Sequence, residues 1–140
     1  MSKYYTPEIE EFHVGFEYQA QDLSLDGTSL YWFKYTFEIN DSLELLFKPN
    51  DWYDLPRVKY LDKEDIESLG FTSNYKKYYK IDAPGKLRYW TEVHLDFRLG
   101  IEDIIIKGFR GEENDYLFRG IIKNKSELKR LMKQLNITNE

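Results

Sequence analysis

Residues 87–97 read LRYWTEVHLDF. Leu87, Tyr89, Val93, Leu95 and Phe97 fall on one side of a period-2 alternation, with Thr91 its only soft position. Arg88, Trp90, Glu92, His94, Asp96 and Arg98 fall on the other. Successive side chains of a strand point to opposite faces, so this is the pattern of a strand buried on one side. It is the longest clean alternation in the chain, and strand candidates flank it on both sides, which makes it a central strand.

Toward the C-terminus, Gly100 is followed by a strand over Ile101–Phe109. Its run Ile104-Ile105-Ile106 predicts burial on both faces. Residues 111–115, GEEND, read as a hairpin loop and Tyr116–Ile122 as the last strand. Asn124 then caps a helix, with Glu127 three residues on in a capping-box arrangement. Leu128, Leu131, Met132 and Leu135 form its apolar stripe, while Lys125, Lys129, Arg130 and Lys133 mark its wet side.

Toward the N-terminus, Asn74–Ile81 reads as a strand closed by the turn Ala83-Pro84-Gly85. Asp62 is an N-cap, Glu64 and Asp65 suit a first helical turn and Gly70 a helix end, which predicts a short helix over 63–69. Arg57–Leu61 reads as a short strand. Alternating apolar residues predict three earlier strands, at about 9–18, at Leu30–Ile39 and over Leu43–Phe47, joined as an antiparallel meander. The expected fold is a single α+β domain over residues 1–140. It has a mostly antiparallel, curved or split sheet of about six to eight strands, a short mid-chain helix and a C-terminal amphipathic helix.

Composition narrows the function classes. In 140 residues there are 12 Tyr, 9 Phe and 3 Trp, too many rings for a disordered chain. Tyr suits half-buried sheet faces, where the ring packs and the hydroxyl stays wet. The absence of Cys excludes disulfides, thiolate catalysis and Cys-based zinc sites. No stretch approaches the ~20 apolar residues of a membrane span, and MSKYYTPEIEEF has no apolar signal core, so a soluble cytosolic protein is expected. Residues 1–50 carry nine acids against three bases, whereas Arg119–Lys133 carries six bases against Glu127 alone. Duplex DNA binding needs a concentrated basic footprint and is not expected.

Three blocks, YYTPEIEEFHVGFEY (Tyr4–Tyr18), VKYLDKEDIESLGF (Val58–Phe71) and FRGIIKNKSELKRLMKQLNI (Phe118–Ile137), span the chain. Together they resemble a family of small uncharacterised proteins of bacteriophages and prophages, notably those of gut Bacteroidota-like hosts. The family carries no established activity, so no functional residue comes with it. The resemblance implies a context: a phage accessory protein in the bacterial host cytoplasm, or a minor component of the virion.

The residues offer little catalytic chemistry. His13 and Glu11 share an expected strand face and could reach one metal ion, but an outward sheet face is polar in any case. No nucleophile elbow, P-loop or dinucleotide fingerprint is present, and no cofactor is expected. Ligand binding is the sharper expectation. Arg88, Trp90, His94 and Arg98 on the polar face of the organising strand, with Lys76 and Lys77 nearby in sequence, interleave a ring with cations. A nucleotide needs both, stacking for its base and charge for its phosphates. The competing reading makes Trp90 a core residue under a helix and the lysines a solvated edge. Trp52 and Tyr53, in the loop Asp51–Arg57, are candidate interface residues, since Trp, Tyr and Arg dominate binding hot spots.

The expected function is therefore that of a non-enzymatic, phage-encoded binding protein of counter-defence type, acting by occupancy. It would sequester a nucleotide-like signal or cap a host immune protein. The alternative is a minor structural or assembly protein of the virion. Expected partners are a small nucleotide-like ligand or a host protein, with a homo-oligomer as a further option.

Overall fold

The computed structural model describes residues 3–47, 54–75, 77–81 and 90–137. The chain divides into two compact units, Met1–Tyr60 and Leu61–Glu140. The fold is α+β with antiparallel pairing. The sheet is split, as one of the two expected forms had it: nine described strands form three sheets, of two, two and five strands.

In the first unit, β1 (Tyr4–Tyr5) pairs with β4 (Val58–Lys59), and β2 (Glu17–Leu23) pairs along its length with β3 (Leu30–Thr36). A bridge from Gln19 to Arg57 links the two ladders. Phe16, Tyr18 and Val58 are buried here, with Tyr5, Phe12, Ala20, Phe37 and Leu46 packed against them. Phe12 is the hub, its ring lying 4.8 to 5.6 Å from those of Phe16, Tyr18, Phe37 and Phe47.

Two expected strands give way here. Residues 9–16 form no strand. Ile9–Glu11 form a 3₁₀ turn, and the Glu11 side chain reaches back to the Glu8 backbone N–H at 2.7 Å. A second turn closes from the Phe16 N–H to the His13 carbonyl around Gly15, whose φ is +95°. Local side-chain and turn bonds thus take the donors that a ladder would use. Over Leu43–Phe47 the chain forms helix α1, after a turn closed by the Glu38 N–H on the Asp41 carboxylate. Leu-Glu-Leu-Leu is rich in good helix formers. The coil directs Leu46 and Phe47 at the Phe12 cluster and leaves Leu45 75% exposed.

The second unit is a five-stranded sheet in the order β5 (Thr72–Tyr75), β6 (Tyr78–Ile81), β7 (Glu92–Asp96), β8 (Ile104–Arg110), β9 (Glu113–Gly120). The organising stretch supplies β7, the middle strand. Its Val93 and Leu95 are fully buried, as are Ile104 and Ile106 of β8. Ile105 lies on the opposite face and is only half-buried, so the isoleucine run is covered on one side rather than both. The single strand expected at 74–81 is a hairpin, β5–β6, and the expected five-residue loop at 111–115 is a two-residue turn at Gly111-Glu112.

Helix α2 (Lys63–Ser68) is capped by the Asp62 carboxylate, which accepts from the Asp65 N–H at 2.9 Å. Helix α3 (Lys125–Gln134) is capped by the Asn124 side chain on the Glu127 N–H at 2.8 Å, while Glu127 reaches the Lys123 N–H at 2.7 Å. Its far end closes with Asn136 at φ +58°, the Ile137 N–H on the Met132 carbonyl and the Asn136 N–H on the Lys133 carbonyl. That bond pair is a Schellman motif. It seats Ile137, fully buried, beside Leu128 and Met132 in the core with Ile66 of α2. Both helices therefore cover one face of the sheet and leave the other open. None of the described helices is long and apolar enough to cross a membrane.

Candidate functional site

The open face of the five-stranded sheet carries the expected polar row, in altered membership. His94 pairs across the ladders with Lys80 and Lys107, and Asp96 with Tyr78 and Ile105. The His94 ring lies 4.3 Å from that of Phe109. Its Nδ1 is 3.1 Å from the Tyr78 hydroxyl and its Nε2 is 2.9 Å from Glu92 Oε2. With the proton on Nε2, both bonds are satisfied, the Tyr78 O–H donating to Nδ1 and Nε2–H donating to the carboxylate. Lys80 Nζ stands 4.0 Å from the same carboxylate.

Arg98 belongs to this face but is already engaged. Its Nε and Nη2 donate to the Asp96 carboxylate at 2.9 and 2.6 Å, a bidentate pair, and its guanidinium lies 5.8 Å from the Tyr78 ring centre. These hydrogen bonds from Arg98 hold the Asp96 carboxyl below the usual carboxylate range and raise the guanidinium in turn. Asp96 and Glu92 thus engage Arg98, His94 and Lys80, while Lys107, bridged to no acid among the described residues, rests its Nζ 4.6 Å from the Tyr116 ring centre. The paired part of the row is a poor anion site, because its cations already face carboxylates.

Trp90 does not join the row. The chain bends at Thr91, and the indole packs against the helix-covered core, flat on Gly108. A Cβ at Gly108 would stand 2.4 Å from the ring. The alternation of 87–97 breaks at its soft position, so Trp90 and His94 lie on opposite faces. Lys77 is exposed, with its Nζ 5.9 Å from the Phe97 ring centre. Arg88, Lys76, Trp52 and Tyr53 lie outside the described residues.

The Glu11–His13 pair is also committed elsewhere. The Glu11 carboxylate accepts from the Tyr5 hydroxyl and the Glu8 N–H, and His13 Nδ1 contacts the Glu11 carbonyl at 3.0 Å. Among the described residues, no group of three or more His, Asp or Glu is placed to hold a metal ion.

A second arrangement, in the first unit, was not anticipated. The Arg57 guanidinium lies between two aromatic rings, 3.8 Å from the Tyr4 ring centre and 4.0 Å from that of Trp32. The fold dictates the stack. Tyr4 and Arg57 share a face of the β1–β4 ladder, the Gln19–Arg57 bridge adds β2, and Gln21 of β2 pairs with Trp32 of β3. Arg57 Nε donates to Gln19 Oε1 at 2.8 Å, which fixes the plane of the fork. Arg57 Nε is its one side-chain donor with a hydrogen-bond partner among the described residues. The stack lines an open cleft of about 500 Å³, shared with Tyr5, Thr6, Asp54 and Leu55.

This clamp combines what ring-bearing anions need: a planar guanidinium held rigid, aromatic walls, and a carboxylate and a hydroxyl at the rim. Its three members lie at positions 4, 32 and 57, so no local motif announces it. The one local signal is Arg57 itself, the only base in 49–58 and the last residue of the loop that carries Trp52 and Tyr53. Comparison with protein-family models, with curated proteins and with solved structures gives no match, so no fold or activity is carried over from a relative.

Proposed function

We propose that this chain is a binding protein without catalytic chemistry of its own, which acts by occupying a small anionic ligand that carries a planar ring. The ligand site is the Tyr4–Arg57–Trp32 cleft. One observation carries the reading: an arginine fork, fixed in plane by two rings and Gln19, faces a cleft of about 500 Å³. That volume is within the ~300–1,000 Å³ range of small-molecule sites. The Nη edge of Arg57 is suited to a phosphate or carboxylate, and charge-assisted bidentate contacts are the strong kind. Trp32 and Tyr4 offer ring surface for a base, and Asp54 an acceptor for its N–H groups or for sugar hydroxyls.

A nucleotide meets all three requirements. In the phage context that the sequence resemblance implies, the occupied target is a nucleotide-like signal of the bacterial host. The site that the sequence analysis placed on β7 supports this less well, because Arg98 and Lys80 face Asp96 and Glu92 there.

A thermal-shift panel of mono-, di- and cyclic nucleotides against the parent and Arg57→Ala tests the proposal. A ligand at a hundred times its Kd stabilises by about 2.7 kcal/mol, which such a panel resolves. The expected result is a dose-dependent shift in the parent that Arg57→Ala loses and Arg98→Ala keeps. A shift that Arg98→Ala abolishes and Arg57→Ala retains would move the site to the sheet face.

A further inference from the structure

Strand β3 has one neighbour among the described residues, β2, so its outer edge carries no ladder. Alternation places Tyr31, Phe33 and Tyr35 on one face of that edge strand, away from Trp32 and the Arg57 clamp. All three residues are exposed, at 54%, 41% and 38%, with the Tyr35 ring stacked on that of Tyr18 at 5.8 Å between centres. An uncovered aromatic edge strand is a template for pairing with another chain, and proteins normally blunt such edges. Here Lys34 is the one charge within β3, and it lies on the other face.

Charge decides what the edge takes. Residues 1–60 hold eleven acids against five bases. On the aromatic face, Asp22 pairs across the ladder with Tyr31, and its carboxylate accepts from the Tyr35 hydroxyl at 3.2 Å. Asp26, in the β2–β3 turn, is held ionised by the Ser24 and Thr28 hydroxyls, its carboxyl lowered to about 2. Asp41 is close enough to the other end of the ladder to help raise the Tyr18 phenol, which burial raises most. A second copy of the chain would bring a like-charged edge against this one, whereas a cationic strand meets both the carboxylates and the ring faces.

We infer that the outer edge of β3 is a docking site for an extended, cationic segment of a partner protein. The segment adds as a strand and lays alternate Arg or Lys side chains over Tyr31, Phe33 and Tyr35. Main-chain bonds to β3 supply sequence-independent affinity, and the rings and Asp22 supply the preference for cations. The surface is separate from the Arg57 clamp and does not depend on it.

Fluorescence anisotropy with a labelled peptide of alternating Arg and Val tests this. Its controls are the Glu–Val counterpart and a version N-methylated at alternate residues, which cannot complete a ladder. The expected result is binding of the Arg–Val peptide that weakens between about 50 and about 300 mM salt, with neither control binding. Phe33→Lys and Tyr31→Lys, each checked for parental circular dichroism, should weaken binding roughly tenfold or more. Equal binding of the N-methylated peptide would overturn strand addition, and equal binding by both variants would overturn the site. Sedimentation showing a parent dimer that Phe33→Lys dissociates would make a second copy the occupant and overturn the cationic partner.

Discussion

Arg57 shows how side-chain placement, rather than residue type, makes a site. Its guanidinium plane is set by Tyr4, Trp32 and Gln19, and a lysine offers no plane to set. Arg57→Lys should therefore behave like Arg57→Ala in ligand binding, although it keeps the charge. Trp90 makes the opposite point. Its ring lies flat on Gly108, and the missing Cβ there is what lets it close over the core. Gly108→Ala should cost about 1–3 kcal/mol by overpacking and alter the Trp fluorescence of the native state, as chemical denaturation followed by emission will show. The sequence could name Trp90 but not its face, because the period-2 rule holds only while the backbone stays extended, and it bends at Thr91. Likewise nothing local at Tyr4 or Trp32 predicts a shared arginine, since their meeting depends on the β1–β4 and β2–β3 registers.

Elements were legible where pattern and cap agreed. α3 shows its stripe, its Asn124 cap and its lysines in the sequence, and each occupies its expected place. Asn124→Ala should cost about 1 kcal/mol, whereas Asn136→Gly, at φ +58°, should be neutral or stabilising by a few tenths of a kcal/mol. Thermal unfolding of the two single variants, with the midpoint lowered for Asn124→Ala and unchanged or raised for Asn136→Gly, checks the pair. β7 emerges as the middle strand for the same reason: its alternation is supported on both sides by apolar strands. Residues 9–16 and 43–47 alternate too, but Glu8, Glu11 and Asp41 offer side-chain bonds to the backbone that close turns. A short apolar run such as LELLF satisfies a strand pattern and helix propensity together, and packing on Phe12 decides between them.

For the whole molecule, acid sensitivity follows from Asp96. Its carboxyl is depressed in the fold by the Arg98 hydrogen bonds, so it binds a proton less readily when native than when unfolded. The stabilisation is complete above the unfolded value, 3.8, and is lost as pH falls through the depressed folded value. Arg98→Ala should therefore be modestly less stable than the parent at pH 7, because the guanidinium is exposed and screened by solvent. That gap should close in strong acid, and urea midpoints across the pH range measure it. The charge map points the same way as the two surfaces proposed above. The first unit holds the ring-and-arginine clamp and the acidic aromatic edge, while on the second unit's open face Arg98, His94 and Lys80 are already engaged by Asp96 and Glu92.

The central claim is that the clamp binds a ring-bearing anion by geometry and not by charge alone. Isothermal titration of ATP into the parent, Arg57→Lys and Trp32→Ala tests it most directly. The account predicts saturable heat for the parent and at least about tenfold weaker binding for both variants, the loss expected when an anchoring contact of ~1.4 kcal/mol is removed. Parent-like affinity in Arg57→Lys, or no heat from the parent itself, would contradict it.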